Sequence, residues 1–249
     1  MFIPTEHKGG NVSTTSAVEG AARTAVVLGG TSGIGKEIVK TLAAKGTTVY
    51  LSGRTMESAS ATATEVGLGT IPVAVDLSMP ETIAASLASI TSVDDLIIPA
   101  IERDSNTISD YNIEGAIRLV TLKLVGYTAA IHALRSRLTP NASIVVFGGL
   151  ALERPYPGST TVSTVNGGVV GMVHSLACEL APVRINAIHP GIIGDSPYWE
   201  NKDNSHIVSR TPLGRLVTMQ EIVSSVEFLL ENTGVNGVNL AMDGGWLLK

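Results

Sequence analysis

The stretch AVVLGGTSGIGKE, residues 25–37, narrows the folds open to this chain more than any other. An apolar run enters it and four glycines fill its centre. Beyond them Ile34, Ile38, Val39 and Leu42 recur at helical spacing. A strand that passes straight into a helix through such a turn gives each glycine a task. Gly29 permits the tight turn, Gly33 lets the backbone approach a pyrophosphate, and Gly35 lets the helix pack closely on the strand. The helix then directs free N–H groups and the positive end of its dipole at the same point. The expectation is a phosphate cradle built on Gly29, Thr31, Ser32, Gly33 and Ile34.

The alternation of apolar run and helical pattern continues along the chain. Apolar runs at 24–30, 47–53, 70–76, 94–100, 143–149, 183–191 and 237–245 read as seven strands. Between them lie helices through Ile117, Val120 and Leu124, from about Asn166 to Leu180, and through Ile222, Val226 and Leu230. Strands separated by single helices require right-handed crossovers and therefore a parallel sheet. Their nearly continuous apolar character calls for helices on both faces. The predicted fold is one doubly wound α/β domain over residues 22–249, with a small substrate lobe at about 194–211. The polar, Gly/Ser-rich residues 1–21 are expected to be a flexible tail without the apolar core of a signal peptide.

Charge and composition exclude several classes of partner. A net charge of -5 without a lysine or arginine run offers no footprint for nucleic acid or an anionic membrane. No apolar segment is expected to reach the roughly 18–20 residues of a bilayer span. The single cysteine, Cys178, has no intramolecular partner and reads as a small buried hydrophobe in a cytoplasmic protein. No metal site is predicted. Hydrophobic residues make up 44% and charged residues only 16%, so part of the apolar surface is expected to be covered by a second copy, in a homodimer or homotetramer.

The spacing Gly29-x-x-x-Gly33-x-Gly35 resembles that of the short-chain dehydrogenase/reductases, and other landmarks agree over residues 22–249. Asp76-Leu77 falls where the family's adenine-contacting Asp closes the third strand. RINAIHPG, residues 184–191, looks like the strand and Pro-Gly turn beside the nicotinamide. RTPLGRLVTMQEIVSSVEFLL, residues 210–230, and MDGGW, residues 242–246, resemble the substrate-side lobe and the end of the last strand. The resemblance implies a Rossmann-type fold, oxidoreductase activity, and a dinucleotide held also by Asp76, Leu77, Ala100, Pro190 and Gly191. Which dinucleotide follows from YLSGRT, residues 50–55: no acid stands at Ser52 or Gly53 to hold a ribose diol, and Arg54 offers a planar fork to a 2′-phosphate. The reading is NADP(H).

The same alignment exposes departures. The family's serine, tyrosine and lysine fall on Gly149, Val162 and Asn166, and its helix asparagine falls on Lys123. Its Asn-Asn-Ala-Gly reads Ile98-Pro99-Ala100-Ile101, and Asp195 stands in place of a threonine after the Pro-Gly turn. A positioned general acid is worth about 10²- to 10⁴-fold and an oxyanion donor about 10²- to 10³-fold, so carbonyl reduction by the family's route should be slowed severely. No catalytic residue is assigned. Tyr156, beside Glu153 and Arg154, could swing a phenol toward the nicotinamide or be a surface aromatic. Lys123 could be a proton donor or the ion partner of an acid, and His174 and His189 read as core or interface residues. Asp195 would repel the cofactor's phosphates if it faced them. Three functions stay open: an oxidoreductase with a non-standard active site, a non-catalytic NADP(H)-binding sensor or partner subunit, and a non-redox isomerase or lyase in the same pocket.

Overall fold

The computed structural model describes residues 23–248; the expected tail at 1–21 lies outside them. The elements in chain order are β1 (Thr24–Leu28), α1 (Gly33–Ala44), β2 (Thr48–Gly53), α2 (Met56–Val66), β3 (Ile71–Ala74), α3 (Pro80–Ser86), β4 (Val93–Ile98), α4 (Ile113–Val120), α5 (Tyr127–Leu134), β5 (Leu138–Phe147), α6 (Thr160–Glu179), β6 (Arg184–Pro190), α7 (Ser205–Val208), α8 (Met219–Glu231) and β7 (Asn239–Met242). The seven strands form one sheet in the order β3-β2-β1-β4-β5-β6-β7, and every neighbouring pair is parallel. That is the doubly wound α/β fold the sequence predicts.

Period-two alternation splits each central strand between two cores. On β1, Val26 and Leu28 join the layer of α5 and α6, whereas Ala25 and Val27 join the layer of α1 and α8. Most strands are shorter than the apolar runs suggest. Gly29, Gly30, Gly148 and Gly149 lie beyond the strands and build the turns at their C-terminal ends. Helix α6 begins at Thr160, six residues before the expected Asn166. Its first turn is polar, so the apolar spacing that marks the rest of the helix is missing there.

Helices α4 and α5 are one continuous helix joined by a wide π segment, Thr121–Gly126. Gly126 is required within it, because a Cβ there would overlap the carbonyl oxygen of Leu77. The run Ile113–Arg137 is 25 residues long and, by length and composition, sufficient to cross a bilayer. This corrects the expectation that no segment reaches that length: the interrupting Arg118 and Lys123 are too few to offset the aliphatic residues around them. In the fold, Leu122, Tyr127, Ala130 and Ile131 bury one side of this helix against the sheet.

Candidate functional site

The strand order reverses between β1 and β4, and beyond the C-terminal ends of the strands at such a reversal lies the crevice in which doubly wound sheets bind ligands. Gly29 packs closely against Ala100 there. Its φ is +104° and a Cβ would come within 2.9 Å of Ala100 Cα, so both the turn and the close approach demand glycine. Gly35 is equally constrained, since a Cβ there would overlap the carbonyl oxygen of Gly29. Gly33 differs: its φ is +49°, but nothing lies within 4 Å of where its Cβ would stand. A side chain there would point into open space beside the first turn of α1.

The N-terminal end of helix α1 carries no side-chain cap. Ser32 precedes it in extended conformation, its side chain makes no cap hydrogen bond, and no acid lies in the first turn. By contrast Thr55, Asn112 and Thr218 each cap their own helix. Thr31 and Ile34 are partly exposed beside Ser32. These groups fit a pyrophosphate: free N–H donors, the positive end of the dipole and an open approach.

At the β2 end, Ser52 is buried and its Oγ accepts from Gly29 N at 2.9 Å, which fixes the turn and removes Ser52 from the ligand side. A side chain on Gly53 would displace Ser58 Oγ and Thr31 Cγ2, which stand 2.3 and 2.9 Å from its Cβ position. Arg54 is 70% exposed, with Nη1 3.9 Å from Glu102 Oε1. Glu102 also binds Arg118, whose Nε donates to both carboxylate oxygens at 3.0 and 2.8 Å. Arg118 Nη2 in turn lies 3.9 Å from Asp76 Oδ2. Burial pushes the Asp76 carboxyl up, but the Ser78 hydroxyl and amide on Oδ1, with Arg118 and Arg54 nearby, outweigh it and hold the pKa below its ordinary value. Leu77 is buried beneath Asp76, and the Ala100 carbonyl accepts from Tyr127 OH at 2.6 Å.

The other half of the crevice lies at the ends of β5 and β6. Gly149 and Asn166 are neighbours, since a Cβ on Gly149 would stand 2.9 Å from Asn166 Nδ2. Asn166 is 4% exposed. Val162 lies one turn earlier on α6. From the neighbouring helix, Lys123 in the π segment donates from Nζ to the Phe147 carbonyl oxygen. Its side chain is 1% exposed, and desolvation lowers its pKa to about 7. No carboxylate pairs with it among the described residues, so the ion-partner reading of Lys123 is overturned.

Four residues on, Tyr127 brings its ring centroid to 5.2 Å from Lys123 Nζ. An amine and a phenol are thus buried together, but each is committed to a backbone carbonyl, and burial pushes the phenol's pKa far above its ordinary value. Neither is presented to the crevice. At the β6 end, Pro190 closes the strand and Gly191 N donates to Met242 O at 2.8 Å, so the turn is anchored to β7. His189 is buried, as expected of a core residue: Nδ1 accepts from Gly149 N at 3.2 Å, and Nε2 lies 2.9 Å from Asn239 Oδ1.

Other residues singled out in the sequence lie away from the crevice or on the surface. Asp195 accepts from Met219 N at 2.8 Å, so it binds the first turn of α8 and not a phosphate cradle. Cys178 is exposed on α6, correcting its reading as a buried hydrophobe; the apolar neighbours in the sequence line the opposite side of that helix. His174 is also exposed on α6, within 3.1 Å of Asn239 Nδ2. Tyr156 is 54% exposed, and its backbone N donates to Ser159 Oγ. Arg154 donates to Trp246 O at 2.7 Å, tying this loop to the C-terminal segment. Glu102 and Arg118 escape sequence reasoning, because nothing in the chain signals that residues sixteen apart converge on Arg54 and Asp76. Among the described residues no group of three or more His, Cys, Asp or Glu side chains is placed to hold a metal ion.

Residues 29–247 match the family model described as enoyl-(acyl carrier protein) reductase. Carbonyl reductase family member 4 of Xenopus laevis is 30% identical over 233 residues, covering 90% of this chain and 98% of that protein. The 3-oxoacyl-[acyl-carrier-protein] reductase of Mus musculus is 29% identical over 226 residues, covering 88% and 95%. Among solved structures, the 3-ketoacyl-(acyl-carrier-protein) reductase from Brucella melitensis complexed with NADH superposes with a TM-score of 0.81 at 25% identity, over 90% of this chain and 98% of that one.

Proposed function

Because the chain belongs to the short-chain dehydrogenase/reductase family of oxidoreductases, we propose that it binds NADP(H) and acts as an oxidoreductase without the family's tyrosine–lysine pair. The observation that carries this reading is the contrast between the two halves of the crevice. In the cradle, Gly29, Gly33 and Gly35 have the backbone geometry that a pyrophosphate requires, and the first turn of α1 is left free for it. At the β5 end, Gly149, Val162 and Asn166 offer a single carboxamide where the family pattern calls for a serine, a tyrosine and a lysine.

The residues present fit a dinucleotide. The backbone of Gly33 and Ile34 with Ser32 would hold the pyrophosphate, Asp76 and Leu77 the adenine, and Arg54 the 2′-phosphate. Ala100, Pro190 and Gly191 would line the path to the nicotinamide, which when bound supplies hydride chemistry. Asn166 can donate one neutral hydrogen bond from Nδ2 toward the Gly149 backbone and whatever lies there, at the lower strength of an uncharged donor. Lysine and asparagine have in effect exchanged helices: the amine stands on the α4–α5 helix and the carboxamide on the neighbouring α6. Lys123 places a titratable positive charge behind the end of β5 without touching the crevice.

A substrate that brings its own proton, or takes one from water, suits such a site better than a plain ketone; an activated alkene or an imine is of that kind. The half-exposed apolar residues Ile117, Val120 and Val125 on the α4–α5 helix, next to α6, support a second copy packing on this face. The test is turnover of NADPH deuterated at C4 against a panel of ketones, activated alkenes and imines. Deuterium should appear in product from the latter two, and the rate should survive Tyr156→Phe. Efficient reduction of ketones that is abolished by Tyr156→Phe would overturn the reading.

A further inference from the structure

The carboxylate that β2 lacks is supplied from across the crevice. Glu102, on the loop between β4 and α4, sits between two guanidinium groups, 3.9 Å from Arg54 and hydrogen-bonded through both oxygens to Arg118. It is not a floppy surface acid. After it, Arg103 stacks 3.3 Å over the Tyr198 ring of the lobe, and the buried Asn106 accepts from Asn112 N at 2.8 Å and donates to Asp104 and to Asn112 O, while its own backbone N donates to Gly158 O. Before it, the Ala100 carbonyl accepts from Tyr127 OH, so the loop is pinned on both sides of the residue that reaches Arg54.

We propose that Glu102 and Arg118 determine cofactor affinity and selection at the adenosine end: Glu102 is an internal anion that a ligand phosphate must displace, and Arg118 is the second cation that phosphate gains. The inference rests on the NADP(H) reading of the crevice. Its physical content is an exchange of counterions. Without ligand, Glu102 pairs with Arg118 and lies beside Arg54, and Asp76 adds the second negative charge near Arg118. A 2′-phosphate entering at Arg54 meets the Glu102 charge a few ångströms away, and binds once that carboxylate gives up one guanidinium or both. The planar forks of Arg54 and Arg118 suit phosphate oxygens as well as carboxylate oxygens, so phosphate can replace the hydrogen bonds Arg118 makes to Glu102 and add bonds to Arg54, and the exchange costs chiefly the repulsion from Glu102. NADH brings no such phosphate and is indifferent to the exchange, apart from a ribose hydroxyl that Glu102 can accept.

The pair also explains how β2 can dispense with an acid. A side chain on Gly53 would displace Ser58 and Thr31, and Ser52 is turned inward to Gly29, so discrimination between the two cofactors passes to the opposite wall. There the balance of Glu102 and Asp76 against Arg54 and Arg118 sets the preference. Asp76, 3.9 Å from Arg118, keeps that guanidinium oriented toward the adenine side when Glu102 leaves.

The experiment is a fluorescence titration of the full chain and of Glu102→Gln and Arg118→Leu with NADPH and NADH, repeated with adenosine 2′,5′-bisphosphate and 5′-AMP as fragments. Glu102→Gln should tighten NADPH and the bisphosphate about tenfold and leave NADH and 5′-AMP within about twofold, with the gain shrinking in high salt. Arg118→Leu should weaken the phosphorylated ligands about tenfold and spare the others. Equal changes for both cofactors, or none, in a wild type that binds NADPH would overturn this inference alone. A wild type that binds neither dinucleotide would overturn the NADP(H) reading and this inference with it.

Discussion

Lys123→Met offers the sharpest physical test of the burial of the Lys123 amine behind the end of β5. The amine is sealed at 1% exposure with one carbonyl partner, and desolvation lowers its pKa from 10.5 to about 7. The unfolded chain keeps the proton up to the ordinary value and the folded chain releases it near 7. Between those limits the unfolded state binds more protons, so this residue's contribution to stability is greatest at high pH and is lost as pH falls toward 7. The slope is about 1.4 kcal/mol per pH unit, and the full displacement has a ceiling of about 4–5 kcal/mol. Water penetration and the Phe147 carbonyl reduce what is realised.

Methionine fills nearly the same volume without the charge. The variant should gain about 1–4 kcal/mol at about pH 6, as replacements of buried charge by apolar groups do, and little at about pH 10. For a chain of this length that is about 2–4 °C in Tm per kcal/mol. Thermal unfolding of both proteins by circular dichroism across this range gives the difference directly, free of other titrating groups. A difference that stays flat with pH, or a variant that is less stable at low pH, would refute the reasoning and mean that the amine has an anionic partner or solvent access.

Other substitutions separate stability from binding. Gly35→Ala forces a methyl into the carbonyl of Gly29 and should cost about 1–3 kcal/mol of unfolding free energy, read by urea denaturation. Gly33→Ala meets no protein atom, so it should cost only about 1 kcal/mol from its positive φ while weakening NADPH at least about tenfold by blocking the pyrophosphate; the two variants must differ in this order. Asp195→Ala removes the acceptor for Met219 N and should lower stability by about 0.5–2 kcal/mol without improving NADPH affinity, and an improvement would place that carboxylate at the phosphates. Light scattering in solution should give a dimer or tetramer, and Val125→Glu on the exposed face of the α4–α5 helix should shift it toward monomer.

The parts of the fold written in local spacing were legible: seven apolar runs, the helices between them, and glycines whose tasks follow from the turn they occupy. Gly29 and Gly35 are needed where the sequence places the need, because contacts between β1 and α1 are near in the chain. The boundaries of β5 and α6 were not legible, since Pro140 and the polar first turn of α6 interrupt the apolar pattern. Nor were Cys178 or Asp195, whose surroundings depend on which face of a helix or lobe turns outward. The Arg54–Glu102–Arg118–Asp76 cluster joins four separate segments, and only the folded sheet brings them together. The burial of Lys123 was half legible: its position in an apolar helix hints at it, but the π segment that aims its amine at Phe147 does not appear in the pattern.

The central claim is that a dinucleotide cradle persists in a crevice that presents no phenol and no ammonium to the ligand. It is tested most directly by the structure of the full chain with NADP⁺ bound. The pyrophosphate should lie on the first turn of α1 against Gly33, with only Asn166 and backbone groups within hydrogen-bond reach of the nicotinamide ribose. A tyrosine hydroxyl and a lysine amine meeting at the nicotinamide, or a pyrophosphate bound away from α1, would contradict it.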